Sequence, residues 1–375
     1  MILRFVILCL ALVAACSPEP PQREAAPVNV VQALSDTENT QCYARADAII
    51  PFEFPRDDGA HPEFRTEWWY YTGNLTTEGG RHFGFQLTFF RQALACDTED
   101  GPSAWRTAQI YFAHFALTDS RNKAFHAAER MNRDSLDIAG ASPERVWIDD
   151  WQALRDETGA IRLLARARSK TDTVFALDLS LTTPQRLIRQ GKQGLSAKGP
   201  GEGNASYYYS LARLESRGRV HVGDGSFQVN GLTWFDHEWS TTALGREVGG
   251  WDWMAGHLDD GRDLMVCRVR RGDGSESDFG FGSLVHPDGR VTILGQGDFS
   301  LTPQDVWTSP ETGIQYPSNW DIRLPGEGLS LTAVPVIPNQ EHTGDFTYWE
   351  GAVDFKGMGK SAGVSGRGYM ELTGY

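Results

Sequence analysis

The sequence predicts an all-β fold made of two tandem antiparallel β-barrels. Its 40 glycines and many short apolar runs, each ended by Gly, Asp, Asn or Pro, are typical of strands joined by tight turns. Strands do not alternate with helices, so antiparallel pairing is expected. Barrels are favoured over an open sandwich because closure leaves no exposed sheet edge. A ligand is expected in a concave barrel interior, since eight-stranded barrels can hold one small molecule.

An internal repeat is the main support for two barrels. The segment EWWYYTGNL at 67–75 aligns without gaps with GWDWMAGHL at 250–258. The aligned pairs include Trp68 with Trp251, Tyr70 with Trp253, Gly73 with Gly256, and Leu75 with Leu258. Each segment is followed by a glycine-containing turn and a second apolar run, which predicts two hairpins of one design.

The two repeated units also end alike. The segment VNGLTWFDHEW at 229–239 corresponds to VSGRGYMELTG at 364–374. A shared opening hairpin and a shared closing strand place the first barrel at 43–244 and the second at 245–375. The length of 375 residues and the hydrophobic content of 40% are sufficient for two domains with separate cores.

Residues 1–15 are predicted to be an export signal, because one arginine precedes an apolar run of 11 residues. A transmembrane helix needs about 20 apolar residues, so this run is too short to span a bilayer. The VAAC junction that ends at Cys16 is similar to the lipobox of bacterial lipoproteins, which implies cleavage before Cys16 and its lipidation. A simple secretory signal is the alternative. Residues 16–42 would then form a Pro-rich, lipidated tether.

The expected location and partners follow from this N-terminus and from the charge. Ser17 follows the cysteine where an Asp would signal inner-membrane retention, so the lipoprotein resemblance implies an outer-membrane anchor facing the periplasm of a Gram-negative cell. A net charge of -14 without a Lys/Arg-rich block argues against nucleic acid as a partner. The expected partners are the membrane, through the lipid anchor, and a hydrophobic small molecule. An ABC-type export system is a further candidate.

Cysteine and histidine spacing predicts neither a metal site nor a cofactor. Cys42 and Cys96 lie in polar, loop-like sequence and are candidates for a disulfide in an exported protein. Cys267 lies in an apolar run and is expected to be a buried thiol. No CxxC spacing is present, and His61 and His237 lack a third ligand at a recognisable spacing. The other histidines, His114 among them, are treated as ordinary.

An ordered set of motifs carries a family resemblance. In chain order these are HPE, EWWY, YYS, WFDHEW and WDW, at 61–63, 67–70, 208–210, 234–239 and 251–253. Together they resemble the lipocalin-like family that includes carotenoid 1,2-hydratase (hydroxyneurosporene synthase) and an exported AttH-like branch. The resemblance covers about residues 50–375. It implies two tandem lipocalin-like barrels and, for the hydratases, water addition to an acyclic carotenoid without a metal or redox cofactor.

Side-chain alternation along the WFDHEW strand groups the candidate catalytic residues. Asp236 and Glu238 share one face of the strand, about 7 Å apart, and His237 points to the other face. In an apolar cavity, such a carboxyl pair could act as acid and base, with His237 in support. Alternatively, Asp236 and Glu238 bind an arginine or backbone groups where the barrels meet. The second unit has Glu371 but then Thr373, which predicts a paired-acid site in the first barrel alone.

The EWWYY strand is aromatic on both faces, so both must be covered. Trp68 and Tyr70 recur as aromatic residues in the second unit and are therefore assigned to the core. Trp69 is replaced by Asp252 there, which leaves Trp69 available for a ligand. The predicted ligand-binding residues are Glu67, Trp69, Tyr71, Tyr209, Trp239 and Asp252.

The sequence therefore leaves three functions open. The first is binding or carriage of a hydrophobic, isoprenoid-like or lipid-like molecule by an anchored lipocalin-like protein. The second is a cofactor-independent hydratase that uses Asp236 and Glu238, and the third is glycan binding through exposed tryptophans. A hydrolase is disfavoured, because no G-x-S-x-G elbow is present. Arg268 and Arg270 lie on a strand where the hydratases are expected to carry an acid, which favours binding over hydration.

Overall fold

The computed structural model describes residues 40–96, 103, 105–182, 187–242, 248–360 and 362–375. The described chain is nearly all β, as predicted, with one-turn 3₁₀ helices at Thr40–Cys42, Arg56–Asp58 and Pro325–Glu327. No described helix has the length and apolar character that crossing a membrane requires. The predicted signal, Cys16 and nearly all of the tether lie outside the described residues.

The first sheet has 13 antiparallel strands. They are β1 (Thr66–Thr76), β2 (His82–Ala93), β3 (Gln109–Asp119), β4 (Ala124–Arg133), β5 (Ala139–Ser142), β6 (Arg145–Ile148), β7 (Trp151–Arg155), β8 (Ile161–Arg168), β9 (Val174–Thr182), β10 (Leu187–Arg189), β11 (Leu195–Ala197), β12 (Ala205–Val222) and β13 (Gly225–Ser240). The order is β4-β3-β2-β1-β13-β12-β9-β8-β7-β6-β5, and β10 and β11 also pair with β12. This sheet curls into a nearly closed barrel.

The second sheet has 10 strands and forms a half-barrel. They are β14 (Val248–Leu258), β15 (Asp263–Arg271), β16 (Phe281–Val285), β17 (Val291–Gly295), β18 (Ser300–Thr308), β19 (Gln315–Leu324), β20 (Leu329–Pro335), β21 (Glu341–Thr343), β22 (Thr347–Met358) and β23 (Gly363–Leu372). The order is β17-β16-β15-β14-β23-β22-β20-β19-β18, with β21 beside β22. The predicted boundary at 244/245 falls between the two sheets, outside the described residues.

The opening hairpin and the closing strand pair in the same way in both sheets. In each unit the first strand of the hairpin lies between its hairpin partner and the closing strand: β2-β1-β13 in the first sheet and β15-β14-β23 in the second. The register is also the same, because Tyr70 pairs with Asp236 and the aligned residue Trp253 pairs with Glu371. The repeated segments therefore occupy equivalent positions.

The interior of the first sheet is packed with large side chains. Trp69, Trp151, Phe235 and Trp239 are almost fully buried there, in one continuous apolar core. The space left beside Trp69, Tyr71 and Phe235 is only about 20 Å³, which is too small for a ligand. A wider cleft of about 480 Å³ lies beside Tyr209 and Leu211. A second core fills the half-barrel around Trp320.

A third apolar cluster joins the two sheets to each other. It includes Tyr70 and Trp234 of the first sheet and Trp253 and Tyr369 of the second. Hydrogen bonds also cross this contact, for example from Asn74 Nδ2 to the Gly368 carbonyl oxygen at 3.0 Å. The sheets therefore share a buried interface.

The described cysteines take the roles that their sequence context suggested. A disulfide joins Cys42, before the first strand, to Cys96, just after β2. Cys267 is a buried free thiol on β15.

Gly84 lies at a close contact between the sheets, and replacing it tests this contact. A Cβ at Gly84 would overlap the Cβ of Ala352 on β22. Overpacking of this kind costs about 1–3 kcal/mol. We expect Gly84→Ala to lower the free energy of unfolding by about this amount in a urea titration. Gly79→Ala, in the same hairpin and with its nearest atom 3.9 Å away, should change stability little; equal stability of the two variants would contradict the close contact.

Candidate functional site

A cavity of about 90 Å³ lies between the two sheets. Strands of both sheets form its walls, so neither sheet contains it alone. Its aromatic lining consists of Trp68, Tyr70, Phe90, Tyr208, Trp251, Trp253, Phe281 and Tyr348. Its charged or acidic lining consists of Asp236, Glu238, Glu350, Glu371 and Lys198. Four carboxyl groups and one amine therefore meet in an otherwise mostly aromatic space.

The repeated register explains why acids from both units meet here. Asp236 on β13 pairs with Tyr70 on β1, and Glu371 on β23 pairs with Trp253 on β14. Because side chains alternate along each strand, these faces all point toward the other sheet. The prediction of a paired-acid site in the first barrel alone is wrong, since Glu371 brings a second pair with Glu350 to the same cavity.

Asp236 is a buried carboxyl group with neutral hydrogen-bond partners. Trp234 Nε1 donates to Asp236 Oδ1 at 2.8 Å, and the Ser210 hydroxyl donates to the same oxygen. Burial raises the pKa of Asp236 to about 7, although these hydrogen bonds oppose the shift. Asp236 is therefore poised between its acid and its carboxylate near neutral pH.

Glu350 and Glu371 face each other directly across β22 and β23. Burial raises the pKa of Glu350 well above its usual range, and the neighbouring charge of Glu371 adds to the shift. Burial also raises the pKa of Glu371, with the charges of Asp236 and Glu238 as further causes. Two carboxylates at this spacing in an apolar site cannot both be ionised. The pair therefore retains a proton at neutral pH.

Glu238 is the cavity carboxylate that has a cationic partner. Lys198 Nζ lies 3.0 Å from Glu238 Oε1, and both side chains are buried. The same ammonium group lies 3.8 Å from the centre of the Phe281 ring and 4.9 Å from that of Tyr208. This ion pair is held against aromatic faces and lies beside the acids whose pKa is raised.

The other predicted residues of these strands lie on the opposite face. Glu67, Trp69 and Tyr71 point into the first sheet, as do Tyr209, His237 and Trp239. His237 is therefore separated from Asp236 and Glu238 by the sheet itself. The assignments of the EWWYY strand are reversed, because Trp68 and Tyr70 line the cavity while Trp69 is core, with its Nε1 donating to the Asp58 carbonyl at 3.1 Å.

Glu67 is the centre of a buried polar network inside the first sheet. His61 Nδ1 lies 2.7 Å and His237 Nε2 lies 2.9 Å from Glu67 Oε1, while Arg91 Nε donates to Oε2 at 2.8 Å. Burial acts to raise the pKa of Glu67, but the Arg91 charge and the two histidines hold it well below its usual range. Glu67 is therefore a carboxylate that is fully compensated within the fold.

The group of His61, Glu67 and His237 also has the composition of a metal site, which sequence spacing did not reveal. Both imidazoles hydrogen-bond directly to one glutamate oxygen, and Arg91 occupies the other. A metal ion would have to break these bonds beside a guanidinium, so we assign the group to the fold. Tyr209 extends it, since its hydroxyl lies 3.3 Å from His237 Nδ1 and donates to Asp58 at 2.8 Å.

Asp252, the last predicted ligand-binding residue, forms ion pairs within the second sheet. Arg268 Nη2 and Arg270 Nε lie 2.6 and 3.2 Å from its carboxylate, and the Tyr375 hydroxyl donates to it at 2.6 Å. It lies on the face of β14 opposite to Trp251 and so does not reach the cavity. Glu350, Lys198 and Tyr348 belong to no motif and were not predicted. Of the cavity acids outside the WFDHEW motif, Glu371 alone was indicated by the sequence, through its alignment with Asp236.

The raised pKa of Asp236 makes a prediction about stability. In the unfolded chain an Asp has a pKa of about 3.9. In the folded protein the pKa of Asp236 is about 7, so between these two pKa values the folded state binds more protons than the unfolded state. The contribution of Asp236 to the free energy of unfolding therefore falls as pH rises through this window. We expect Asp236→Asn to be more stable than the parent at pH 8 in urea titrations, with the gain shrinking toward pH 4. Asp178→Asn, which removes an exposed carboxylate on β9, should show no such gain; a destabilised Asp236→Asn at pH 8 would contradict the assignment.

Comparisons with known proteins place the chain in a family. The sequence profile of the AttH-like family matches residues 45–375. An AttH protein from Nitrosomonas europaea has a similar solved structure, with a TM-score of 0.78, 36% identity, and 88% of this chain and 99% of that chain covered. Kievitone hydratase from Nectria haematococca is 16% identical, with a TM-score of 0.65 and with 88% and 95% covered. No protein with a curated function matches in sequence. The chain belongs to the AttH-like family.

Proposed function

We propose that the protein binds the unsaturated end of a hydrophobic, isoprenoid-like molecule in the cavity between the sheets and adds water to its double bond. The observation that carries this proposal is the group of protonated carboxyls among aromatic faces. Burying carboxyl groups without cationic partners lowers the stability of the fold. Such groups in a cavity are therefore typical of functional sites. Their pKa values suit a general acid that works near neutral pH.

Each step of the hydration has a group in the cavity. The Glu350 and Glu371 pair donates a proton to an alkene carbon, which forms a C–H bond and leaves a carbocation at the neighbouring carbon. The faces of Trp253 and Tyr70 stabilise that cation. Water then attacks the cation, and the carboxylate of Glu238 accepts the proton that the water loses. No electrons leave or enter the system, so no redox partner is required.

The size of the cavity limits what it can admit. Its volume of about 90 Å³ is smaller than the roughly 150 Å³ of a cavity that holds benzene. A branched five-carbon unit is about as large as benzene, so it would enter only if lining side chains move outward. The remainder of a longer molecule would extend through the mouth, where the half-buried residues Trp68, Trp251 and Glu371 lie.

The structural neighbours support hydration only at the level of the fold. Kievitone hydratase bears the name of a hydratase, and a protein of this fold can therefore accommodate such chemistry. At 16% identity its substrate does not transfer to this chain.

Binding or carriage without turnover is the second candidate. It is favoured by β15, the strand on which an acid is expected in the hydratases. The residues of β15 that face the cavity are Cys267 and Val269, both apolar, while Arg268 pairs with Asp252 on the opposite face. We retain a lipid anchor at Cys16, an outer-membrane location and an export-system partner as parts of either proposal.

Incubation with acyclic isoprenoids in D₂O distinguishes the two candidates. We expect the parent to convert geraniol or lycopene to a tertiary alcohol with deuterium on the adjacent carbon, measured by mass spectrometry. Glu371→Gln and Glu238→Gln should lower turnover about 10²- to 10⁴-fold, the usual contribution of a general acid or base. Asp178→Asn is the matched control and should retain full turnover.

Three other outcomes would each count against one or both candidate functions. Unchanged turnover in Glu371→Gln and Glu238→Gln would contradict the assigned chemistry. Binding of these isoprenoids by the parent without any product would favour carriage. Neither binding nor turnover would exclude both candidates.

A further inference from the structure

The proposed reaction leaves a proton imbalance in the cavity. After each turnover the Glu350 and Glu371 pair lacks one proton, while Glu238 holds one more. A ligand in the cavity would block the mouth, where Glu371 is half-buried, whereas Glu350 is only 1% exposed. A separate proton path would allow Glu350 to be reloaded while the mouth is still occupied.

A chain of polar side chains approaches Glu350 from β3 and β4 of the first sheet. Tyr348 lines the cavity two residues before Glu350 on β22, so the two side chains share a face. The Tyr348 hydroxyl lies 2.6 Å from Nδ1 of His114 on β3 of the first sheet. Both carboxyl oxygens of Glu350 are buried and have no hydrogen-bond partner among the described residues, so the step between Tyr348 and Glu350 requires a bridging water molecule.

The outer end of this chain reaches solvent. His114 Nε2 lies 3.9 Å from Glu129 Oε2 on β4, and the side chain of Glu129 is 28% exposed. This separation is longer than a hydrogen bond, and one water molecule can bridge it. Burial raises the pKa of Glu129, so the group exchanges protons closer to neutral pH than an exposed glutamate does. Glu129 Oε1 is already fixed by the backbone N–H of Asp345, which leaves Oε2 for His114.

From this arrangement we infer that Glu129, His114 and Tyr348 form a proton relay from solvent to Glu350. The purpose of this relay rests on the proposed function, whereas the positions of its side chains do not. A proton moves from Glu129 through a water molecule to His114 Nε2, the Nδ1 proton moves to the Tyr348 oxygen, and the Tyr348 hydroxyl proton moves through a second water molecule to Glu350. Each hop breaks one O–H or N–H bond and forms another, so the chain returns to its starting state after the tautomer of His114 resets.

The surroundings of His114 favour a relay over a packing role. The imidazole is 1% exposed and packs against the rings of Phe90, Phe112 and Phe346. Burial lowers its pKa to about 3, so it is neutral and has one N–H and one lone pair. An apolar residue would fill the same site without the desolvation of an imidazole. Nearby, His342 stacks on Tyr348 with ring centres 4.9 Å apart and restrains its ring.

Hydrogen exchange at the cavity acids tests the relay without any substrate. The protein is mixed rapidly with D₂O, and the infrared C=O band of protonated carboxyls is followed, with the Glu350 band assigned from Glu350→Gln. We expect His114→Gln to slow exchange at Glu350 by about tenfold or more, equivalent to a barrier at least about 1.4 kcal/mol higher. The glutamine keeps a hydrogen bond to Tyr348 but cannot pass a proton between two ring nitrogens.

Two further variants complete the experiment. His126→Gln replaces a buried histidine of β4 that packs on Phe175 inside the first sheet, and it should exchange at the parent rate. Tyr348→Phe removes the next group of the relay and should slow exchange as His114→Gln does, which keeps the test valid if His114→Gln does not fold. Exchange at the parent rate in either relay variant, or the absence of a Glu350 band, would overturn the relay even if the parent hydrates isoprenoids. Slow exchange in a protein that hydrates none of the isoprenoids would support the relay and refute only the proposed function.

Discussion

Burial of both faces of β1 and β13 is the constraint on which the rest of the structure depends. Successive side chains of a strand point to opposite faces, so each of these strands belongs to two environments. On one face Glu67 and His237 form a compensated network inside the first sheet. On the other face Asp236 and Glu238 border the second sheet. A slip of one residue in their pairing would exchange the two sets and bury uncompensated charge in both places.

The two sets of acids differ in what compensates them. Glu67 has a guanidinium and two imidazoles, so its burial stabilises an ionised carboxylate. Asp236 has neutral donors, and Glu350 has a second carboxyl group opposite to it, so burial keeps protons on them. The first arrangement is typical of a structural ion pair, while the second is the one that general acid catalysis requires. The relay through His114 fits this division, because only the second set has to exchange protons.

Sequence reasoning predicted the all-β fold and the separation of the strand faces, since both depend on local periodicity. It assigned the ligand to the wrong face of β1, that of Glu67, Trp69 and Tyr71, because aromatic and acidic residues occur on both faces of the strand pair. Trp68 and Tyr70 were assigned to the core because they recur, yet a cavity shared by two equivalent units also retains its lining in both. Lys198 and Glu350 were missed because they reach the cavity from segments that are distant in sequence and lack a motif. Their roles follow from the packing of one sheet on the other.

The proposed ligand site lies between the sheets and not inside one of them. A crystal structure of the protein exposed to 2-methyl-2-butene, a single branched five-carbon alkene, would locate the site. We expect electron density for the alkene beside Trp253 and Phe281, within contact of the Glu350 and Glu371 carboxyls. Density inside the first sheet, or an empty cavity with the alkene bound elsewhere, would contradict it.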